Sequence, residues 1–581
     1  MKILMASLAP FIRLFRRHFW RMVLGTLLGW AAVSASVGLL ALSGWFISAA
    51  AFAGLSAGTA YLFNFFYPSI GVRFFAAMRT LCRYAERIVT HDATFRMLAS
   101  LRVWFFRKIE PLAPARLMRY RSADILSRIV ADINALDNLY VRALSPSIAA
   151  MLTIVTVVLF LAVFDVWVAG TALLFLLAAG LAVPLAAGKK GANLGSELTR
   201  QTATLRIRIV ESIQGLSELL IFQAWDRQRH ALEKESLALS HVQSRMSHIR
   251  GLSAAAITLL AGLATLACLA IGVALIEQQA LDGAYLALIA FAVLASFEAL
   301  SPLPIAYQYI GQTREAAQRL LELVDTPPNI IFKDVAGIDI ERFQIEFEAV
   351  SFCYDKAAPY TLEEIHLHID EGQHVAILGE TGAGKTTLFN LLVRFWDPVK
   401  GTIRIGNKDL RDLPESDLRQ LFGVVSQQSH LFQTTLRENL MMAQPHADEA
   451  ALRAALQKAQ LLNWVETLPQ GMDSWIGEGG RTVSGGQARR VILARLFLQD
   501  SPIWILDEPT ELLDRTTSQR MMQALFHAAQ GRTLLVITHQ ATHLQQFDDI
   551  VFLAQGRIAG QGTHEYLIRT NKKYSALIDQ Q

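Results

Sequence analysis

Apolar runs at 22–52, 58–78, 145–164, 166–188, 252–276 and 284–306 constrain this 581-residue chain more than anything else in it. Each is about twenty residues or longer, the length a helix needs to cross ~30 Å of hydrocarbon. That layer holds no water, so backbone N–H and C=O groups must pair within the segment, and a helix is the form that allows it. Composition agrees: 52% of residues are hydrophobic and 18% charged, with the apolar excess in the first three hundred positions. The run at 58–78 is the least regular, being interrupted by Asn64, Pro68 and Arg73. The first run, from Met22 past Phe52, is too long for the core of a secretory signal despite the small residues at Ala49 to Ala51.

Basic residues then decide orientation. Lys2, Arg13, Arg16, Arg17 and Arg21 precede the first run, and the long segments 79–142 and 189–250 are rich in Arg and Lys. The joints near 54–58, at Asp165 and near Glu277 to Asp282 are short and almost free of them. This alternation expects both termini and both long loops on the cytoplasmic side. The loops are helical by pattern, as in RSADILSRIVADINALDNLYVRAL, where apolar residues recur at three and four. Membrane helices that continue into the cytoplasm usually do so to meet another domain, the alternative being independent soluble insertions, and turns near 112–122 and 214–226 are the expected contact points. A net charge of +4 is too small to indicate nucleic acid. The three cysteines, Cys82, Cys268 and Cys353, lack metal-ligand spacing and form no disulfide framework, which fits a reducing compartment.

The texture changes between 321 and 340, where LVDTPPNIIFKDVAG reads as a linker from a membrane domain at 1–320 to a second domain at 341–581. FQIEFEAVSFCY alternates as a strand does, and strand and helix signals then alternate to the end, which expects an α/β domain with a mostly parallel sheet. Within it, HVAILGETGAGKTTLFNLL runs a buried strand, Val375 to Leu378, into Gly379, Glu380, Thr381, Gly382, Ala383, Gly384, Lys385 and Thr386, followed by Thr387 and a helix. This is a P-loop in its strand–loop–helix setting. Its glycines turn N–H groups toward phosphate oxygens, Lys385 reaches the β- and γ-phosphates, and the Thr386 hydroxyl binds Mg²⁺. PIWILDEPT ends a strand at Asp507, placed for the Mg²⁺ shell, and Glu508 follows, where a carboxylate can polarise the attacking water. VSGGQARRVILARLFL sets Ser484, Gly485, Gly486 and Gln487 at a second helix start fit for an anion. One domain has no use for two such termini around one triphosphate; two domains arranged head to tail do. Strands also end at His539, where imidazole can contact the γ-phosphate and water, and at Gln427, able to touch the metal and the membrane domain. A lone His or Gln at a strand end is usually structural, so both count only in this company.

In that order the motifs resemble the nucleotide-binding domain of an ABC transporter, and the amino half resembles the six-helix membrane domain of exporter-type half-transporters. The resemblance implies that Tyr354 stacks on adenine and that Asp514 belongs to a loop crossing the dimer. Val483 stands where Leu is usual before SGGQ, and Glu511 where Ser is common; the latter suits a heterodimer with unequal ATP sites. LALSGWFISAAAFAG, RYAERIVTHDATF, RSADILSRIVADINALDNLY and WIGEGGRTVSGGQARR narrow the likeness to the CydDC family, which is linked to cytochrome bd assembly. That implies a CydD-type partner in the bacterial inner membrane and a cargo of reduced thiols, cysteine or glutathione, or else haem.

RTLCRYAERIVTHDATF bears on the cargo. Arg79, Arg83, Arg87 and His91 recur every four residues and so share a helix face. One reading is ordinary membrane-edge charge, partly neutralised by Glu86. The other is a cavity face for a small anionic cargo, since glutathione and haem both carry two carboxylates, with His91 as a candidate haem ligand. Cys82 on this stretch reads as a small packing residue. Competing classes are a soluble ABC ATPase of DNA repair or translation, which the apolar runs oppose, a haem- or redox-sensing regulator, and a lipid or drug exporter, whose cavity should be apolar.

Overall fold

The computed structural model describes all residues except 1–10, 12–15, 121, 334–339, 356, 428, 478–482, 540–542 and 580–581. Lys2, Arg13 and residues 334–339 of the expected linker therefore lie outside the described residues. The chain forms two compact units, Met1–Pro327 and Pro328–Gln581, which meet at the Pro-Pro pair.

The first unit consists of long helical segments: Phe19–Ala53, Phe66–Ile109, Ser122–Ala162, Val166–Gln214, Trp225–Glu277 and Ala284–Val324. Five of them are long and apolar enough to cross a membrane. The remaining one, Phe66–Ile109, carries the arginines from Arg73 to Arg107. The span expected at 58–78 is displaced. A short helix, Ala57–Leu62, stops at Phe63, and the Asn64 side chain accepts the Phe66 amide at 3.0 Å, so the long helix starts afresh at Phe66. Pro68 falls in its first turn, where a missing N–H breaks no helical bond. The expected joint at Asp165 is a helix cap, its Oδ1 accepting from Trp167 N at 2.8 Å and Val168 N at 3.0 Å.

Apolar side chains between these helices form a continuous interior that includes Leu161, Leu176, Cys268, Ile289 and Val293. Small residues let backbones approach closely. At Gly311 a Cβ would lie 2.1 Å from the Ala192 carbonyl, which brings Leu303–Val324 almost into backbone contact with Val183–Gln214. Near its end the last helix is fixed by charge. Arg319 pairs with Asp124 at 2.6 Å and with the buried Asp132 at 3.2 Å, while Arg128 pairs with Asp124 at 3.0 Å. The long helices break near 112–122 and 214–226, as expected, but short helices fill the breaks, Glu110–Leu112 and Leu117–Arg119 in the first and Leu216–Ile221 in the second.

The second unit holds two main sheets. One has six strands in the order Arg557–Gly562, Asp549–Ala554, His374–Gly379, Thr533–Ile537, Ile503–Asp507 and Phe422–Val425, parallel except at the Arg557–Gly562 edge. Thr533–Ile537 and Ile503–Asp507 are buried along their whole length, as strands covered on both faces must be. The other sheet has four antiparallel strands, Leu362–Ile369, Ile345–Phe352, Lys400–Ile405 and Lys408–Asp409. The expected parallel sheet is thus accompanied by a separate antiparallel one. Leu362–Ile369 shows why, because its burial alternates as in a sheet packed on one side.

Candidate functional site

Four neighbouring parallel strands end at the same edge, so their loops converge there. His374–Gly379 feeds the P-loop, Ile503–Asp507 leads to Glu508, Thr533–Ile537 to His539 and Phe422–Val425 to Gln427.

The P-loop needs its glycines. Gly384 has φ 103°, and a Cβ there would meet Leu362 Cδ2 at 2.6 Å and the Thr361 carbonyl at 3.1 Å. Gly382 is also left-handed, with φ 83°. Gly379, Glu380 and Thr381 open the loop, Ala383 is buried within it, and the helix Lys385–Leu392 follows. Lys385 folds back, its Nζ donating to the carbonyls of Gly379 at 2.7 Å and Glu380 at 3.0 Å. Burial lowers its pKa, opposed by the charges of Glu508 and Asp507. Thr387 is buried, and its hydroxyl lies 3.1 Å from that of Tyr354, whose ring is packed edge-on by Phe352 and Trp396 at 4.9 and 5.4 Å.

Asp507 is 3% exposed. Thr386 Oγ1 donates to its Oδ2 at 3.4 Å. Burial first, and then neighbouring Glu508, push its carboxyl up to about 6. Mg²⁺ takes hard oxygen ligands and keeps several from water and phosphate. A hydroxyl and a buried carboxylate without a neutralising side-chain cation in contact are a donor pair that fits such an ion. Among the described residues no group of three or more His, Cys, Asp or Glu side chains is arranged to hold a metal.

Glu508 takes left-handed backbone, φ 50°, and its amide is fixed on the Ile537 carbonyl at 2.8 Å. Its Oε1 meets His539 Nδ1 at 2.9 Å, and its Oε2 accepts from Gln427 Nε2 at 3.3 Å. Three residues from separate strand ends, 81 and 31 positions apart, therefore form one polar cluster. Gln427 is engaged by Glu508 rather than by Thr386 or Asp507. On the signature helix Gly485–Leu498, Ser484 Oγ accepts from Gln487 N at 3.2 Å and Gln487 Oε1 from Ser484 N at 3.0 Å. Each side chain thus caps the other residue's backbone N–H in a capping box. Asp514 caps the helix Arg515–Ala528 through Thr517 N at 3.0 Å.

The P-loop, Asp507 and Glu508, His539 and Gln427 thus lie at one edge of one sheet, and two family models cover most of the chain. The ABC transporter transmembrane region matches residues 17–297 and the ABC transporter model residues 362–511. The chain belongs to the ABC exporter family. It is 39% identical over 570 residues to the Escherichia coli K12 protein named glutathione/L-cysteine transport system ATP-binding/permease protein CydC, covering 98% of this chain and 99% of that one. The protein of the same name from Haemophilus influenzae is 37% identical, covering 99% and 100%. The structure of a bacterial Atm1-family ABC exporter with ATP bound superposes with a TM-score of 0.83 at 25% identity, covering 97% of each chain. This ABC exporter chain is therefore a multi-pass membrane protein whose ATP-binding domain hydrolyses ATP to drive transport.

In the helical unit, Arg79, Arg83 and Arg87 line one cavity of about 470 Å³ together with Leu39, Ala76, Thr80 and Tyr84. His91 is exposed on the same helix but outside that lining, its ring stacked on Phe95 with centroids 5.9 Å apart. The basic face thus ends, as a cavity wall, at Arg87. Among the described residues Glu86 makes no ion pair with these arginines, and its Oε1 accepts from Thr90 at 3.2 Å. Arg83 pairs instead with Glu298 at 2.8 Å. Cys82 is buried as a packing residue. Sequence reasoning missed Glu298 and the buried Arg489 of the signature helix. An acid interrupting the last apolar run, and an arginine on the inward face of a buried helix, were the available signals.

Proposed function

We propose that this chain is one half of a heterodimeric ABC exporter of the bacterial inner membrane, paired with a CydD-type half, which moves reduced thiols, glutathione and cysteine, to the periplasm in support of cytochrome bd assembly. The observation that carries the cargo is the arginine-lined cavity, which offers several guanidinium groups to the two carboxylates of glutathione in a chain whose relatives are named for that transport. Both termini and the nucleotide-binding domain are on the cytoplasmic side, as the basic loops direct.

Each ATP-site residue then has a task. Lys385 leaves the Gly379 and Glu380 carbonyls for the β- and γ-phosphates, which the loop amides from Glu380 to Thr386 cradle, and Thr387 and Tyr354 close the adenine side. Thr386, Asp507 and Gln427 hold Mg²⁺, which when bound neutralises charge on the phosphate oxygens. Glu508 accepts a proton from the attacking water, and His539 and Gln427 keep its carboxylate oriented. Ser484, Gly485, Gly486, Gln487 and Asp514 serve the nucleotide held by the partner's P-loop.

Haem is a second reading, favoured by the exposed imidazole of His91 one turn beyond Arg87. One experiment separates the two. The chain is reconstituted with its CydD-type partner and supplied with labelled glutathione, cysteine or haem. ATP-dependent uptake of a thiol, abolished by Glu508→Gln, is expected. Movement of haem alone, with a Soret shift lost in His91→Ala, selects the second reading, and movement of none of the three overturns both.

A further inference from the structure

Arg489 lies on the helix that starts with the signature residues and is 5% exposed. Among the described residues its hydrogen bonds all run to main-chain carbonyls. Nε donates to Pro509 O at 3.2 Å, Nη1 to Ser426 O at 2.7 Å and Gln427 O at 3.5 Å, and Nη2 to Glu508 O at 2.6 Å and to Asp507 O. A guanidinium has five N–H donors in one plane, and this geometry uses all of them. The acceptors belong to two separate loops. One loop presents Gln427, and the other presents Asp507 and Glu508, the latter in left-handed backbone that a non-glycine residue does not hold unaided.

We infer that Arg489 is a positioning residue for ATP hydrolysis: it fixes the backbone beneath Gln427, Asp507 and Glu508 and ties both loops to the signature helix. Because that helix faces the nucleotide on the partner's P-loop, the same side chain joins the two composite ATP sites within one chain. This rests on the assignment of Glu508 as the group that activates water. An arginine is required because a lysine offers a single nitrogen with three donors and cannot span two loops in one plane.

The full chain, co-purified with its partner half-transporter, is assayed for ATP hydrolysis over graded ATP. Arg489→Ala is expected to lower the rate at saturating ATP by about tenfold or more while the half-saturating ATP concentration stays within about twofold. Added guanidinium ion should restore part of that rate. Combined with Glu508→Gln it should give no further loss, because the backbone that Arg489 holds serves the water activation that Glu508→Gln has already removed. An unchanged rate, a parallel loss of rate and ATP affinity, or fully additive losses would overturn the proposal. If Arg489→Ala fails to assemble, Arg489→Lys decides: a lowered rate at unchanged half-saturation supports the inference, and a parental rate overturns it. Glu508→Gln alone separates the two levels. If that variant hydrolyses ATP at the parental rate, the reading of Glu508 falls and this inference with it. If it is inactive while Arg489→Ala is not, only the role of Arg489 falls.

Discussion

Asp507 shows how a buried acid is held in readiness for a cation. Its carboxyl is almost fully enclosed beside Glu508, and its pKa stands at about 6. A raised value means that the folded state resists ionisation. Below about pH 3 the group is neutral in folded and unfolded chains alike and costs nothing; as pH rises toward and past 6 the ionised form penalises folding by up to about 3 kcal/mol. Asp507→Asn in the nucleotide-free chain should therefore raise the melting temperature at pH 8, with the gain shrinking as pH falls toward 4. No gain at pH 8 would refute this account of the site. Residues of the P-loop were legible in the sequence because the motif is contiguous and its glycines state their own backbone needs. The pairing of Arg83 with Glu298 was not, because 215 positions separate them and only packing brings them together. Glu508, His539 and Gln427 are an intermediate case, each marked by a strand end but joined into a cluster only by the strand order.

At the scale of elements, helix contacts carry the predictions. Gly311 lets two helices meet at backbone distance, and a methyl there collides with the Ala192 carbonyl. Gly311→Ala should cost about 1–3 kcal/mol by forcing the pair apart, read as a lower unfolding temperature of the detergent-solubilised complex. The Arg83–Glu298 pair joins the arginine-bearing helix to the final span across the cavity rim. Arg83→Glu should abolish thiol-stimulated ATP hydrolysis while basal hydrolysis survives, and adding Glu298→Arg should restore part of the stimulation if the pair's geometry is what counts. A double variant no better than the single one would show that the positive charge at 83 is needed for cargo itself. The start of the arginine-bearing helix was misplaced from sequence because apolar content at 58–65 outweighed Asn64, whose side chain accepts the first amide of the new helix. The antiparallel sheet was missed for a similar reason: alternation marks strands but does not say which strand lies alongside.

For the whole molecule, the second helix terminus is the decisive feature. If, as proposed, the signature helix serves the nucleotide of a second such domain, the isolated chain should hydrolyse ATP far more slowly than the co-purified pair, with activity rising on mixing. Equal specific rates before and after mixing would contradict the heterodimer. The long segments also have a mechanical consequence. Trp225–Glu277 is an unbroken helix of 53 residues, about 80 Å at 1.5 Å per residue, whereas the hydrocarbon layer occupies about 30 Å of it. Pivoted at the middle of that layer, such a rod converts a tilt of about 5° into a sweep of about 6 Å at its outer end. That gearing lets a slight reorientation among lipids become a displacement as large as a side chain, and lets a push of the same size outside be returned as a slight turn within.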